Sequence, residues 1–208
     1  MAGSAARGAD HLIVHFTHVR NLPGILAAGC LHADNQVDRR SALTVEAADL
    51  EIKSSRRMIR VGLAPFGCVA DYVPFYFAPR SPMLYKLAMG GVPTYTEGQD
   101  PLIYLVSTVG AITVAGLRWL FSDGNCAATV TQMFDDPGLL DSVVDWPLMA
   151  ARMWSNTADD PDRMRRRMAE FLVHERVPLN CIAGIAVRTQ GMKNQVEGLL
   201  RAGTKGSP

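Results

Sequence analysis

Residues 71–85 read DYVPFYFAPRSPMLY. Five aromatics fall within these fifteen residues, in a 208-residue chain that is only 7% aromatic. Pro74, Pro79 and Pro82 rule out one long amphipathic helix, because each ring removes a backbone donor and crowds the preceding turn. The pattern predicts a short strand over Val73–Phe77 and a helix over Ser81–Ala88, opened by Pro82 at its first position. A rigid, proline-kinked, aromatic wall suits a pocket for a flat ligand. The earlier segment HFTHVRNLPGIL, His15–Leu26, offers His15 and His18 as polar contacts for such a pocket.

Working outward, HLIVHFT at His11–Thr17 reads as a first strand. Asn21–Ala28 follows as a helix, with Pro23 near its start and Gly29 as its stop. A polar stretch, Val37–Ser41, precedes a helix over Val45–Arg57. Gly62, Pro65 and Gly67 make Val61–Val69 a loop. Leu102–Ser107 (LIYLVS) is a continuous β-prone run, as expected of a strand buried on both faces. A short helix over Val109–Ala115 and a strand over Arg118–Phe121 come next. Asp123–Thr131 reads as an exposed loop entering a helix, and Asp135–Ser155 as helix broken by Pro137 and Pro147. Asp160-Pro161 is a capped helix start. Phe171–Val173 fits a helix end or a strand equally well. Ile182–Arg188 is the last strand and Asn194–Arg201 a closing helix. Five or six short strands thus alternate with short helices in one mixed domain over residues 11–202. Residues 1–10 and 203–208 are expected to be disordered tails.

Bulk properties bound the function. Hydrophobic residues make up 48% and charged residues 20%, with a net charge of +1, so the chain has no footprint of a constitutive nucleic-acid packager. The apolar runs stop far short of a membrane span, and the small, polar N-terminus does not read as a signal peptide. A cytoplasmic protein with no membrane partner is expected. Cys30, Cys68, Cys126 and Cys181 are scattered, without metal-ligand or disulfide spacing. His15 and His18 have no third His or Cys nearby, so no metal site is expected. Neither GxGxxG after a strand nor GxxxxGK[ST] occurs.

Single residues carry weak signals on their own. On a strand, His15 and Thr17 share one face and His18 lies on the other. A helix entered through Asn21 and Pro23 presents free backbone N–H groups suited to a phosphate or a ribose hydroxyl. Lys53, Arg56, Arg57 and Arg60 form a basic cluster. Most arginine doublets are solvated, but one aimed into a cleft holds a phosphate or developing negative charge. Tyrosines at a pocket rim stack on flat rings. Glu170 is an acid immediately before an apolar run.

Taken in order, HFTHVRNLPGIL, IKSSRR, DYVPFYFAPRSPMLY, SDGNCAA and RRMAEFLVHERVP resemble the DarT family, the DNA ADP-ribosyltransferase toxins of bacterial toxin–antitoxin systems. The resemblance spans about His11 to Gln190. It implies an α+β ADP-ribosyltransferase fold, with two small facing β-sheets and surrounding helices forming a cleft for NAD, which is consumed as substrate. By the same resemblance His15, Thr17, His18, Asn21 and Gly24 line one end of the cleft. Tyr76, Ser81 and Tyr85 complete the nicotinamide-ribose pocket. Arg56 and Glu170 are the catalytic pair, which makes Phe171–Val173 a strand.

The implied chemistry is transfer of ADP-ribose to a base in single-stranded DNA, thymine in this family and guanine in a sister group. A carboxylate at Glu170 would hold the ribose 2′-hydroxyl and favour the developing positive charge, and would draw a proton from the base with Arg56 assisting. An unpaired strand is needed because a Watson–Crick edge is buried in a duplex. Lys53, Arg57, Arg60, Arg118 and the Arg163–Arg167 run would track DNA phosphates. The implied partner is an antitoxin whose macrodomain hydrolyses the mark, and the enzyme is expected to be a monomer. Other acceptors (guanine, RNA, protein) and a non-catalytic nucleic-acid-binding module are the competing readings. This sequence departs from the family pattern at its end, which has no closing aromatic strand, and members differ most at Leu63–Cys68 and Gly124–Trp154.

Overall fold

The computed structural model describes residues 10–37, 45 and 50–204. In chain order they form β1 (Leu12–His18), α1 (Leu22–Ala28), β2 (Cys30–His32), α2 (Leu50–Met58), β3 (Tyr72–Tyr76), α3 (Pro82–Ala88), β4 (Leu102–Thr108) and α4 (Val109–Val114). There follow β5 (Trp119–Ser122), β6 (Met133–Phe134), α5 (Leu140–Val143), α6 (Trp146–Ala150), α7 (Arg163–Arg167), β7 (Glu170–His174), β8 (Arg176–Pro178), β9 (Gly184–Ala186) and α8 (Gln190–Thr204). Seven strands make one antiparallel sheet in the order β6-β5-β7-β3-β1-β4-β9, and β2 pairs with β8 in a separate ladder. This is the expected mixed α and β class.

A proline decides how the large sheet opens. Strand β3 pairs with β7 over five residues, from Tyr72↔His174 to Tyr76↔Glu170. Toward β1 it makes a single register pair, Val14↔Tyr76. Pro74, in the middle of β3, has no N–H to donate, and proline is tolerated in sheets only where a ladder is interrupted. Its carbonyl accepts instead from His15 Nδ1 at 2.7 Å. On the other side, β1 and β4 pair over all seven residues. The sheet is therefore two halves, β6-β5-β7-β3 and β1-β4-β9, joined at a weak seam.

Period-2 alternation fixes what each half buries. Val73, Phe75, Phe171 and Val173 enter the main core with Leu105, Ile112 and Phe121. The opposite face of the same strands packs Tyr72 and Leu172 with Leu120, Val69 and Cys126. Glu170 shares this second face and is 1% exposed. Helix α8 closes the other half, with Val196 against Val19, Leu22 and Ile103.

Several segments differ from the sequence-based expectation. The loop after Asp123 leads into β6, which pairs with β5, and not into a helix. Helix α8 starts four residues before the expected Asn194 and continues through Gly203 and Thr204, where a disordered tail was expected. The three-residue strands β2 and β8 are new; they are too short to show a period, and only their pairing defines them. Residues 38–41 of the polar stretch, residues 46–49 of the predicted second helix, and residues 1–9 and 205–208 of the tails lie outside the described residues.

The arginines of α7 make internal contacts that stitch the loops together. Arg165 pairs with Asp162 (2.7 Å) and Asp123 (3.0 Å), and a Cβ at Gly124 would collide with its guanidinium. Arg166 pairs with Asp145 and Asp160. Arg163 donates to the carbonyls of Ser155 (3.1 Å) and Met153 (2.9 Å). Arg167 is 1% exposed and donates to the carbonyls of Arg80 (3.1 Å), Leu148, Met149 (2.8 Å) and Ala151 (3.2 Å). Replacing it with Met leaves the carbonyls of Arg80, Met149 and Ala151 without this donor, while that of Leu148 keeps the Ala151 N–H, and an unmet buried acceptor costs about 1–3 kcal/mol. Arg167→Met is expected to lose roughly 3 kcal/mol or more in urea unfolding; an unchanged midpoint would refute this bracing role.

Candidate active site at the sheet seam

A cavity of about 590 Å³ opens over the seam, within the ~300–1,000 Å³ range usual for small-ligand sites. Strand β1 contributes His15, Phe16 and Thr17, β3 contributes Tyr72, Pro74 and Tyr76, and α1 contributes Gly24. Helix α2 adds Lys53 and Arg56, and β2 supplies the far wall. The ring planes of Phe16 and Tyr76 are 9° apart, with centroids 6.1 Å apart, in a flat aromatic pair.

His15 is held in one tautomer. Its Nδ1–H donates to the Pro74 carbonyl, which leaves Nε2 as an acceptor. Burial pulls its pKa down to about 4; the hydrogen bond to Pro74 opposes this shift and the Arg56 charge adds to it. The imidazole is therefore neutral at physiological pH, and accepts a hydrogen bond without competing for protons.

At the end of β7, Glu170 is gripped from three directions. Its Oε2 accepts from Arg56 Nη1 at 2.8 Å, and its Oε1 accepts from the Cys126 backbone N–H at 3.2 Å. Its own N–H donates to Ser122 Oγ at 3.0 Å, whose hydroxyl donates to the Gly124 carbonyl at 2.6 Å. Burial works against the Arg56 charge, but the facing carboxylate outweighs it, so its pKa is raised. Arg56 forms part of the cavity wall, with Glu170 behind it. Arg56 Nη2 is buried with no hydrogen-bond partner among the described residues, a donor available to a ligand. Burial, then the Glu170 carboxylate, raises the pKa of Tyr76, so its phenol stays protonated. The Cys126 thiol is pushed up mainly by burial; its backbone N–H is the group in use.

Most of the site residues read from the sequence meet here, and some do not. His15, Thr17, Asn21, Gly24, Tyr76 and Arg56 converge on the cavity. Asn21 is already committed: Nδ2 donates to Thr17 Oγ1 (3.1 Å) and the Val45 carbonyl (2.8 Å), and Oδ1 accepts from the Val45 N–H (3.0 Å). It braces the cavity rim rather than offering free groups. His18 is not at the cavity. It points to the opposite face of β1, where Nδ1 accepts from the Arg20 N–H and its ring meets Tyr95 edge-on. Ser81 is buried as the cap of α3, accepting from the Leu84 N–H at 3.2 Å. Tyr85 is 56% exposed and faces Trp154, not the cavity.

The residues expected to contact DNA also divide. Lys53 and Arg57 both pair with Asp34, the latter at 2.7 Å. Arg57 reaches Asn35 as well, which is tied to Asp71 at 2.8 Å. Lys53 and Arg57 are one helical turn apart on α2, so this carboxylate clamps the helix while Arg56 points toward Glu170. Arg60 is exposed beyond the helix end. Arg118 lies before β5, where its carbonyl accepts from the His174 N–H. That is the far end of β7 from Glu170, four residues or roughly 13 Å away. The sequence reading missed Asp34, Ser122 and the Cys126 N–H. Only the small polar run SDGN hinted at a carboxylate-holding loop.

A buried, arginine-paired glutamate behind an aromatic cleft in a split antiparallel sheet defines an ADP-ribosyltransferase type of site. Known proteins agree. A family model described as ssDNA thymidine ADP-ribosyltransferase, DarT, matches residues 14–207. A DNA ADP-ribosyl transferase of Mycobacterium tuberculosis is 40% identical over 194 residues, covering 92% of this chain and 82% of that protein. One from a Thermus species is 37% identical over 189 residues, covering 91% of this chain and 87% of that protein. The structure of Thermus sp. 2.9 DarT in complex with ADP-ribosylated ssDNA matches with a TM-score of 0.87 at 35% identity, over 95% of this chain and 91% of that one. The NAD+ complex of the same Thermus protein matches at 0.83 and 34% identity, over 95% of this chain and 92% of that one. The chain belongs to the DarT family.

The neutrality of His15 predicts a pH signature. Its folded pKa near 4 lies below the ordinary 6.5. Between these values the unfolded chain binds a proton that the folded chain excludes. Stability from this group is full above pH 6.5 and is lost as pH falls toward 4. In urea unfolding, His15→Gln is expected to flatten this loss relative to the unmodified protein. Equal slopes would mean that His15 is charged in the fold.

Proposed function

We infer that this protein is an NAD-dependent ADP-ribosyltransferase acting on thymine in single-stranded DNA. The observation that carries this reading is the Glu170 carboxylate, fixed by Arg56 and the Cys126 N–H at the back of the seam cavity. The reaction breaks the bond from ribose C1′ to nicotinamide, whose electron pair leaves with nicotinamide, and joins C1′ to a thymine ring nitrogen.

In this reading His15 Nε2 accepts from a ribose hydroxyl and Phe16 and Tyr76 border a flat ring. Arg56 Nη2 donates to the substrate. Both oxygens of Glu170 accept hydrogen bonds in the resting site, from Arg56 and from the Cys126 N–H, and the carboxylate has further lone pairs. Glu170 uses these to hold the ribose 2′-hydroxyl and to oppose the positive charge that develops at C1′. It also takes the ring-nitrogen proton as the new bond forms. Reaching the ribose requires Arg56 to yield part of its place in the wall, so the two residues act as one unit.

The biological role follows from the mark. A modified thymine no longer pairs and blocks replication, so the activity suits the toxin of a toxin–antitoxin pair. The counterpart is an ADP-ribosyl hydrolase with a macrodomain. A Thermosipho africanus relative, 26% identical over 184 residues, is named a fusion of DNA ADP-ribosyl transferase and DNA ADP-ribosyl glycohydrolase, which supports this pairing. Both substrates, NAD and DNA, occupy the cytoplasm, which supports a cytoplasmic location.

Glu170→Gln keeps the side-chain shape but removes the charge. It is expected to lower the rate of transfer to single-stranded DNA by roughly a hundredfold or more, with NAD still bound and the fold intact by circular dichroism. Transfer at the unmodified rate would remove Glu170 from the mechanism.

A further inference from the structure

Tyr85 and Trp154 take no part in the cavity, yet the fold builds a display for them. Their rings meet edge to face, with centroids 5.9 Å apart at 78°, so they do not cover each other by parallel stacking. Tyr85 is 56% exposed, and its neighbours Met89 and Met153 are more so. Trp154 sits on a segment without regular structure, but its backbone is bracketed. Arg163 donates to the carbonyls on either side of it, Met153 at 2.9 Å and Ser155 at 3.1 Å. An unconstrained surface loop has no need of a guanidinium spent on two of its carbonyls, whereas a side chain displayed for recognition does.

The second brace supplies charge. Arg167 donates to the carbonyl of Arg80 at 3.1 Å and to that of Ala151 at 3.2 Å. One buried guanidinium thus sews the chain just before α3 to the chain just before Trp154. Arg80 and Arg152 leave these two sewn points as exposed side chains. One exposed and one part-buried aromatic ring therefore lie on the same side as two exposed guanidinium groups. Helix α3 carries Tyr85 on this side, while its Met83 reaches the NAD cavity. Three residues after Arg167 the chain reaches Glu170. Aromatic faces beside cations are the chemistry of unpaired nucleic acid, where bases stack and phosphates pair.

We propose that Tyr85 and Trp154, flanked by Arg80 and Arg152, form a stacking platform for an unpaired base that neighbours the acceptor thymine. The proposal rests on the transferase reading above. It explains how a chain of net charge +1 holds a single strand when Lys53, Arg57 and the arginines of α7 are engaged internally. The occupant is single-stranded DNA. A duplex hides its base faces and has only phosphates to offer.

The test is binding of a fluorescently labelled thymine-rich oligonucleotide, followed by anisotropy, with transfer kinetics on the same strand. Trp154→Ala is expected to weaken binding roughly tenfold, toward the low end of what one base–aromatic stack contributes. KM for DNA should rise by a similar factor with kcat nearly unchanged. Trp154→Phe should recover most of the affinity, and the Trp154→Ala loss should persist at high salt while that of Arg152→Ala shrinks. NAD affinity and the thermal midpoint serve as fold controls. Unchanged DNA affinity in Trp154→Ala, with DNA still labelled by the unmodified protein, would overturn the platform alone. An unmodified protein that neither binds nor labels single-stranded DNA would overturn the transferase reading as well.

Discussion

The ion pair between Arg56 and Glu170 is the interaction on which the rest of the site depends. Two charges removed from water cost several kcal/mol each unless geometry and further hydrogen bonds compensate. Here Glu170 has Arg56 on one oxygen and the Cys126 N–H on the other. The pair ties helix α2 to strand β7 across 114 residues of sequence, and so brings the two sides of the cleft together. Every neighbouring device serves this arrangement. Asp34 clamps α2 through Lys53 and Arg57, Ser122 fixes the backbone of Glu170, and the arginines of α7 hold the loops that lead into β7.

The second constraint is Pro74. A residue with an N–H at this position would be free to extend the ladder from β3 to β1. The proline leaves a seam that His15 spans with its side chain. The same bond sets the tautomer of the imidazole. A local backbone rule thus opens the cavity and orients a residue within it. The weak seam also separates two well-packed halves, one centred on Phe75, Phe121 and Phe171 and the other closed by Val196 of α8.

Much of this was legible in the sequence, for physical reasons that can be named. Strands β1, β3 and β4 announce themselves through β-branched and aromatic runs, and α1 and α3 through their prolines and caps. The facing of His15 and Thr17 followed from strand periodicity, which also separates His18 from them. Resemblance to a family identified Arg56 and Glu170, and geometry brought them to 2.8 Å. What escaped were features made by long-range partners. Strands β2 and β8 exist only as each other's neighbours. The ion pairs of the RMRRR run with acids at 123, 145, 160 and 162 also depend on partners that the run itself does not announce. Tyr85 stands on the exposed side of α3, outside the cavity lining, because an aromatic in a motif does not say which side of its helix is wet.

The central claim is that this one cavity transfers ADP-ribose from NAD to a thymine in an unpaired strand. The most direct measurement incubates the purified protein with adenine-labelled NAD and matched single-stranded DNA, duplex DNA and RNA, then digests the products to nucleosides. The account predicts label on thymidine from the single strand, with little on duplex or RNA. Label that remains in NAD, or that appears on protein alone while the protein is folded and binds NAD, would contradict it.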